Sequence, residues 1–145
     1  MTLKPPKRTF KSRPITFTSE IATQKLSEFW SGLEKGEVYA SKCRKCGNIC
    51  FPPVADCSRC LGSEQEWIKL DGKGEIETYT HIAIRPASFK DHEAYTVAVA
   101  KMKEGVRVLA WIADAKPTEV KIGAKVKLVA KNPESGLTYA FTICN

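Results

Sequence analysis

A chain of 145 residues, 43% of them hydrophobic and 27% charged, suits one ordinary domain or one small module tethered to another. Its formal charge of +7 invites a nucleic-acid reading, so the position of the charge matters. The longest apolar run, Val108 to Ala113, is far too short to span a bilayer, which excludes a membrane-spanning helix.

The opening Met1-Thr2-Leu3-Lys4-Pro5-Pro6 has no apolar signal core, and Pro5, Pro6 and Pro14 would break an amphipathic transit helix. The expected location is the cytoplasm. Lys4, Lys7, Arg8, Lys11 and Arg13 all precede the first acid, Glu20. Taking those five from +7 leaves +2, so the basicity is mostly a flexible tail over residues 1–18 and the body is only mildly positive. Ser19 then offers an N-cap and Glu20 an acid at the positive helix end. Ala22, Leu26, Phe29, Trp30 and Leu33 recur at helical spacing, and Gly36 is a natural stop. An amphipathic helix is expected over 19–36, its aromatics packing on their own chain or on a partner.

Two Cys pairs follow, Cys43-Arg44-Lys45-Cys46 and Cys57-Ser58-Arg59-Cys60. Each C-x-x-C turn sets two thiolates on one side of a tight loop, and two such turns in hairpin range complete a tetrahedral sulfur cage. Gly47 and Gly62 follow the pairs, where a positive φ would let backbone amides face the sulfurs. Lys42, Arg44, Lys45 and Arg59 would offset the negative charge of four thiolates on a divalent ion. Cys43, Cys46, Cys57 and Cys60 are therefore expected to hold one structural zinc in a ribbon over 37–64. Iron in a rubredoxin-like cage and two disulfides are the alternatives. So small a segment lacks a sufficient core, so the metal must contribute on the order of 10 kcal/mol or more. Cys50 lies between Ile49 and Phe51 in an extended stretch, and Cys144 ends the last strand. Either reads as an inert thiol, or as a nucleophile with His81 or His92.

Residues 65–145 read as strands. Trp67-Ile68-Lys69-Leu70 leads into the turn Asp71-Gly72-Lys73-Gly74. Glu75 to Ala83, Tyr95 to Met102, Val106 to Ala113, Val126 to Val129 and Leu137 to Ile143 follow, separated by turn residues. Pro117 to Val120 reads as a short helix or turn in the long third connection. The fold class is mainly β with an N-terminal helix: a zinc ribbon, then a five-stranded Greek-key barrel of OB type.

The order of these parts resembles a family that joins a rubredoxin-like zinc ribbon to an OB fold and accompanies thiolase-type enzymes. The matching residues run from Phe29-Trp30-Ser31-Gly32-Leu33-Glu34-Lys35-Gly36-Glu37 through Cys43-Arg44-Lys45-Cys46-Gly47 and Phe51-Pro52-Pro53. They continue with Cys57-Ser58-Arg59-Cys60, Gly72-Lys73-Gly74-Glu75-Ile76 and Lys121-Ile122-Gly123-Ala124-Lys125-Val126. The basic tail and Cys50 lie outside the pattern. The resemblance implies an acyl-CoA-associated accessory protein without catalytic residues of its own. It further implies a bridge between an acetoacetyl-CoA thiolase and a hydroxymethylglutaryl-CoA synthase that helps hold or pass the CoA-linked intermediate.

CoA presents phosphates, an adenine and a long pantetheine arm, so a host needs cations, a stacking surface and an apolar channel. Arg85, Lys90, Lys101, Lys103 and Arg107 offer charge, and Phe89 and Trp111 offer apolar contact. The long Arg85–Ala94 connection reads as a binding loop. The bland reading of the same residues is solvated lysines and a core Trp111. Nucleic acid is the alternative partner, since ribbons and OB folds both bind it and the tail could track phosphates. Against it stand Glu75 and Glu77 on the first barrel strand, and Tyr95 and Trp111 as the only aromatics on the next two. An independent enzyme is a third reading, weakened by the closed metal site and the absence of a recognisable triad.

Overall fold

The computed structural model describes residues 24–89, 91, 93–113, 115–132 and 136–144. A 3-10 turn at Gln24–Leu26 opens into helix α1, Ser27–Glu34, where the apolar spacing places it. The expected cap Ser19, together with Ala22 and the basic tail, lies outside the described residues. Phe29 and Leu33 are buried, and Trp30 is 37% exposed beside them. Gly36 stops the helix with φ +80, while the Glu37 amide donates to the Gly32 carbonyl at 2.8 Å. A side chain at Gly32 would meet the Tyr39 ring at 2.5 Å, so the helix lies close against the strand that follows.

Three strands form the ribbon sheet: β1 (Tyr39–Cys43), β2 (Ile49–Cys50) and β3 (Gln65–Lys69), in the order β2-β1-β3, all antiparallel. The segment grouped by sequence with the C-terminal domain from residue 65 thus pairs along its whole length with β1, from Tyr39↔Lys69 to Cys43↔Gln65. Leu70 adds a backbone bond to Val38 at 2.9 Å, and the chain turns away only at Gly72, φ +83.

The barrel consists of β4 (Lys73–Ile82), β5 (Tyr95–Met102), β6 (Arg107–Ile112), β7 (Lys125–Lys131) and β8 (Thr138–Ile143). It closes in the order β4-β5-β6-β8-β7, with β6 and β8 parallel and the other pairs antiparallel. This is the expected five-stranded OB arrangement, with a 3-10 turn at Pro117–Glu119 in the long third connection. Alternation sends Ala98, Ala100, Met102, Val108, Ala110, Ile112, Val126 and Leu128 inward, around Ile76 and Phe141. Gly74 leaves room for this packing, since a Cβ there would lie 2.8 Å from Met102 Sδ.

One aromatic cluster ties helix, ribbon and barrel together. The Phe51 ring of the ribbon meets Tyr139 of β8 edge-on at 5.0 Å, and Phe29 of α1 meets both, at 6.1 and 6.3 Å. Burial raises the Tyr139 phenol above its ordinary pKa.

Candidate metal centre and ligand groove

The two Cys turns use the same backbone bonds. Cys43 receives the Gly47 amide at 2.8 Å and donates to the Asn48 carbonyl at 2.9 Å. Cys57 receives the Leu61 amide at 2.9 Å and donates to Gly62 at 2.9 Å. The residue four positions on takes positive φ in both: Gly47 at 71° and Leu61 at 56°. The glycine expected to fill that role in the second turn, Gly62, is one position too late for it. It lies beside the cage instead, where a Cβ would make ordinary contacts with Cys60 Sγ at 3.4 Å and Cys43 Sγ at 3.6 Å.

The knuckles bring together the four predicted ligands. Cys43 and Cys60 sulfurs lie 3.5 Å apart, Cys46 and Cys57 lie 3.7 Å apart, and all four fall within 4.8 Å of one another. A tetrahedral ion with metal–sulfur bonds of about 2.3 Å needs sulfurs about 3.8 Å apart, so the cage fits. Disulfides are excluded by the same distances, because an S–S bond is near 2.05 Å. The amides of Cys60 and Arg59 lower the Cys57 thiol to about 6, and the Cys46 amide lowers Cys43. At Cys60 the Gly62 amide pulls the same way, but burial and the neighbouring Cys43, Cys46 and Cys57 thiols push it up to about 11. Four sulfurs this close cannot all carry charge without a cation between them. Among the expected counter-cations, Lys42 is paired with Glu66 at 3.2 Å.

Cys50 stands outside the cage on β2, where it accepts from Asn48 Nδ2 at 3.2 Å. Cys144 is exposed just past β8. His81 Nδ1 lies 3.1 Å from Thr96 Oγ1, and His92 lies outside the described residues.

The proposed ligand residues separate into two groups on the outer face of β5 and β6. Trp111 stacks on Tyr95 with centroids 4.2 Å apart and planes 11° from parallel, and Phe89 leans on both at 6.0 Å. Trp111 is thus an outward residue rather than core. Arg85 is exposed in the same connection, and Lys90 lies outside the described residues. Lys101 and Arg107 face each other across the ladder at the other end, four residues or about 13 Å from Trp111. Arg107 is held by Glu77 through Nε at 2.6 Å and Nη2 at 3.1 Å, and this contact raises the guanidinium pKa and lowers the carboxyl. Lys103 pairs with Asp71 at 3.3 Å, and Lys125 with Glu75.

Beside the aromatic stack runs a groove of about 880 Å³ whose walls include Phe89, Leu109, Trp111, Lys131, Leu137 and Tyr139. It opens where parallel pairing of β6 with β8 covers only Trp111↔Ala140 and Ile112↔Phe141. Sequence reasoning missed Leu109, Lys131, Leu137 and Tyr139, because only the crossover brings β8 beside β6. Leu109 alone carried a signal, as an apolar residue at an outward position of an alternating strand.

Residues 30–66 match the family described as "ChsH2, rubredoxin-like zinc ribbon domain", and residues 67–131 match "ChsH2, C-terminal OB-fold domain". The DUF35 domain-containing scaffold protein of Methanothermobacter thermautotrophicus is 39% identical over 90 residues, 61% of this chain and 68% of that one. Its counterpart in Methanocaldococcus jannaschii is 37% identical over 89 residues, 61% of this chain and 63% of the relative, so the match spans just under two thirds of its length. The benzoylsuccinyl-CoA thiolase subunit BbsA of Thauera aromatica is 27% identical over 112 residues, 77% of this chain and 74% of that one. The solved structure "Ltp2-ChsH2(DUF35) aldolase" shares the fold, with a TM-score of 0.67 at 19% identity over 81% of this chain and 92% of that one.

Proposed function

The chain belongs to the DUF35 family of scaffold proteins, and from that premise we propose that it is a non-catalytic accessory subunit of a thiolase-type enzyme. In this reading it supplies part of the site that holds the partner's CoA ester. The observation that carries it is the chemistry of the groove. Its described walls are mainly apolar and aromatic, with Lys131 as the one charged residue, and they include no His, Cys, Asp or Glu. Such a surface suits an apolar arm, and Lys131, Thr138 and Tyr139 are its only described side chains with a polar or charged end, with no histidine, thiol or carboxylate beside them to activate one. The volume lies within the range of small-molecule sites, roughly 300–1,000 Å³.

A CoA ester laid along the outer face would set its acyl and pantetheine part on Phe89 and Trp111. Its phosphates would meet Lys101 and Arg107 at one end, or Arg85 and Lys90 at the other. The cage takes one zinc, whose four thiolate ligands leave no position for water or substrate, so its work is to hold the ribbon folded. Helix α1 and the ribbon sheet β1–β3 serve as the docking side, and the barrel from β4 onward as the ligand side. The Thauera relative, a thiolase subunit by name, supports the class of partner. Bridging of an acetoacetyl-CoA thiolase to a hydroxymethylglutaryl-CoA synthase, in the cytoplasm, is the specific form taken from the sequence resemblance.

The test is native co-purification followed by titration of the isolated chain and of the complex with acetoacetyl-CoA. The isolated chain should bind weakly and turn nothing over. In the complex, Arg85→Glu with Lys90→Glu and Lys101→Glu with Arg107→Glu locate the phosphate end, since one pair should weaken binding without changing metal content. Turnover by the isolated chain that is abolished by Cys50→Ser or Cys144→Ser would replace the accessory reading with an enzyme. Tight RNA binding that survives removal of residues 1–18 would replace it with a nucleic-acid protein.

A further inference from the structure

The first barrel strand is longer than barrel closure requires. β4 has ten residues, but only Lys73, Gly74 and Glu75 pair with β7. The turn at 121–124 covers one more position: the Ile76 amide donates to Ala124 at 3.0 Å and the Gly123 amide to Ile76 at 2.8 Å. A bulge follows between Ile76 and Thr78. From Thr78↔Val99 to Ile82↔Tyr95 the strand keeps its bond to β5, while its other edge meets no strand among the described residues. Thr78 to His81 are exposed, and Ile82 is half-buried.

An open edge of this kind is a template for another strand, and proteins ordinarily blunt it with lysine, proline, an inward charge or a bulge; the bulge here precedes Thr78 and leaves Thr78 to Ile82 regular. Thr78-Tyr79-Thr80-His81-Ile82 contains no lysine, arginine, carboxylate or proline, and Thr78, Thr80 and Ile82 are β-branched. The segment is a good strand with nothing to repel a neighbour.

We propose that this edge is a self-association site, at which β4 of a second copy of the chain pairs antiparallel about a two-fold axis at Thr80. Five regular positions lie between the bulge and the strand's end, and Thr80 is their centre, so this register uses all of them. It opposes Thr80 to Thr80, Thr78 to Ile82 and Tyr79 to His81. β-Branched side chains then meet on one face of the extended sheet, and a phenol meets an imidazole on the other. His81 Nδ1 is engaged by Thr96, which leaves Nε2 for that phenol. Antiparallel edge pairing is self-complementary under a two-fold, so every copy carries its own partner. The edge lies two strands from Trp111, which leaves the groove open. A five-residue ladder is about 17 Å long and smaller than a standard interface, so the association is reversible.

Sedimentation equilibrium of the full metal-loaded chain, up to about 1 mM, should show a monomer–dimer equilibrium. Thr80→Lys should leave a monomer with unchanged metal content and melting behaviour. In a Cys144→Ser background, Thr80→Cys should form a disulfide-linked dimer under mild oxidation. Opposed Cα atoms about 4.5–5.5 Å apart lie within disulfide reach. Tyr79→Cys in the same background should cross-link far more slowly, because its two copies stand two positions out of register. A chain that stays monomeric throughout, a dimer indifferent to Thr80→Lys, or equal cross-linking by the two cysteine variants would overturn the proposal. A full chain that dimerises only after removal of residues 1–18 would assign the edge to that segment. Amide protection at 78–82 that arises only with a thiolase-type partner would assign it to the partner.

Discussion

Replacing Phe29 with alanine tests whether the aromatic cluster holds the ribbon and helix to the barrel. Phe29 is 5% exposed and meets three rings edge-on: Trp30 at 5.3 Å, Phe51 at 6.1 Å and Tyr139 at 6.3 Å. Buried Phe→Ala changes cost about 3–5 kcal/mol in lost transfer energy and residual cavity. The helix that carries Phe29 is short and can settle toward the gap, so the lower end, about 3 kcal/mol, is expected. For a chain of this size that corresponds to a fall in Tm of roughly 6–12 °C. The assay is thermal unfolding followed by circular dichroism, with metal content measured on the same sample. Metal should be retained, since no cage sulfur is touched. A cycle with Tyr139→Leu should show a coupling of about 0.5–1.5 kcal/mol. Trp30→Ala, at a 37% exposed ring, is the control and should cost clearly less. A fall of less than about 2 °C with Phe29→Ala, or zero coupling to Tyr139, would refute the cluster's role as the joint.

Elemental analysis should find one zinc per chain, lost with unfolding of the ribbon in Cys43→Ser or Cys57→Ser and kept in Cys50→Ser or Cys144→Ser; zinc loss in Cys50→Ser would upset the ligand assignment. Gly72→Ala should destabilise more than Gly105→Ala in denaturant titrations. Both positions have positive φ, but a Cβ at Gly72 would lie 2.7 Å from the Leu128 carbonyl oxygen, whereas Gly105 is open. Glu77 should titrate below the usual carboxylate range by carbon-13 NMR and move upward in Arg107→Ala. The contribution of this pair to stability is complete above the unfolded carboxyl value of about 4.3 and is lost as pH falls through the lower folded value.

The sequence by itself determined what depends on neighbours along the chain. The C-x-x-C spacing brings paired sulfurs together through local turns, so Cys43, Cys46, Cys57 and Cys60 were legible without any fold. Period-two alternation marked β5 and β6 most clearly, because each is packed on its inner face and more open on the other. Where the sequence misled, a local signal was overruled by register. Gly62 looked like the positive-φ residue, yet the hydrogen bonds of the second knuckle put Leu61 at that position and left Gly62 one place beyond it. The strand at Gln65–Lys69 gave no sign of its partner, since alternation says which face is buried and nothing about which edge is bonded. Tertiary structure alone decided the ligand side. Trp111 and Tyr139 lie 28 positions apart in the sequence, and only the parallel meeting of β6 with β8 sets them along one groove. It also parted Lys101 and Arg107 from Phe89 and Trp111, because strand rise converts four residues into about 13 Å. The open edge of β4 belongs to the same class: pairing with β7 ends after three residues, a limit set by barrel closure rather than by any residue in the strand.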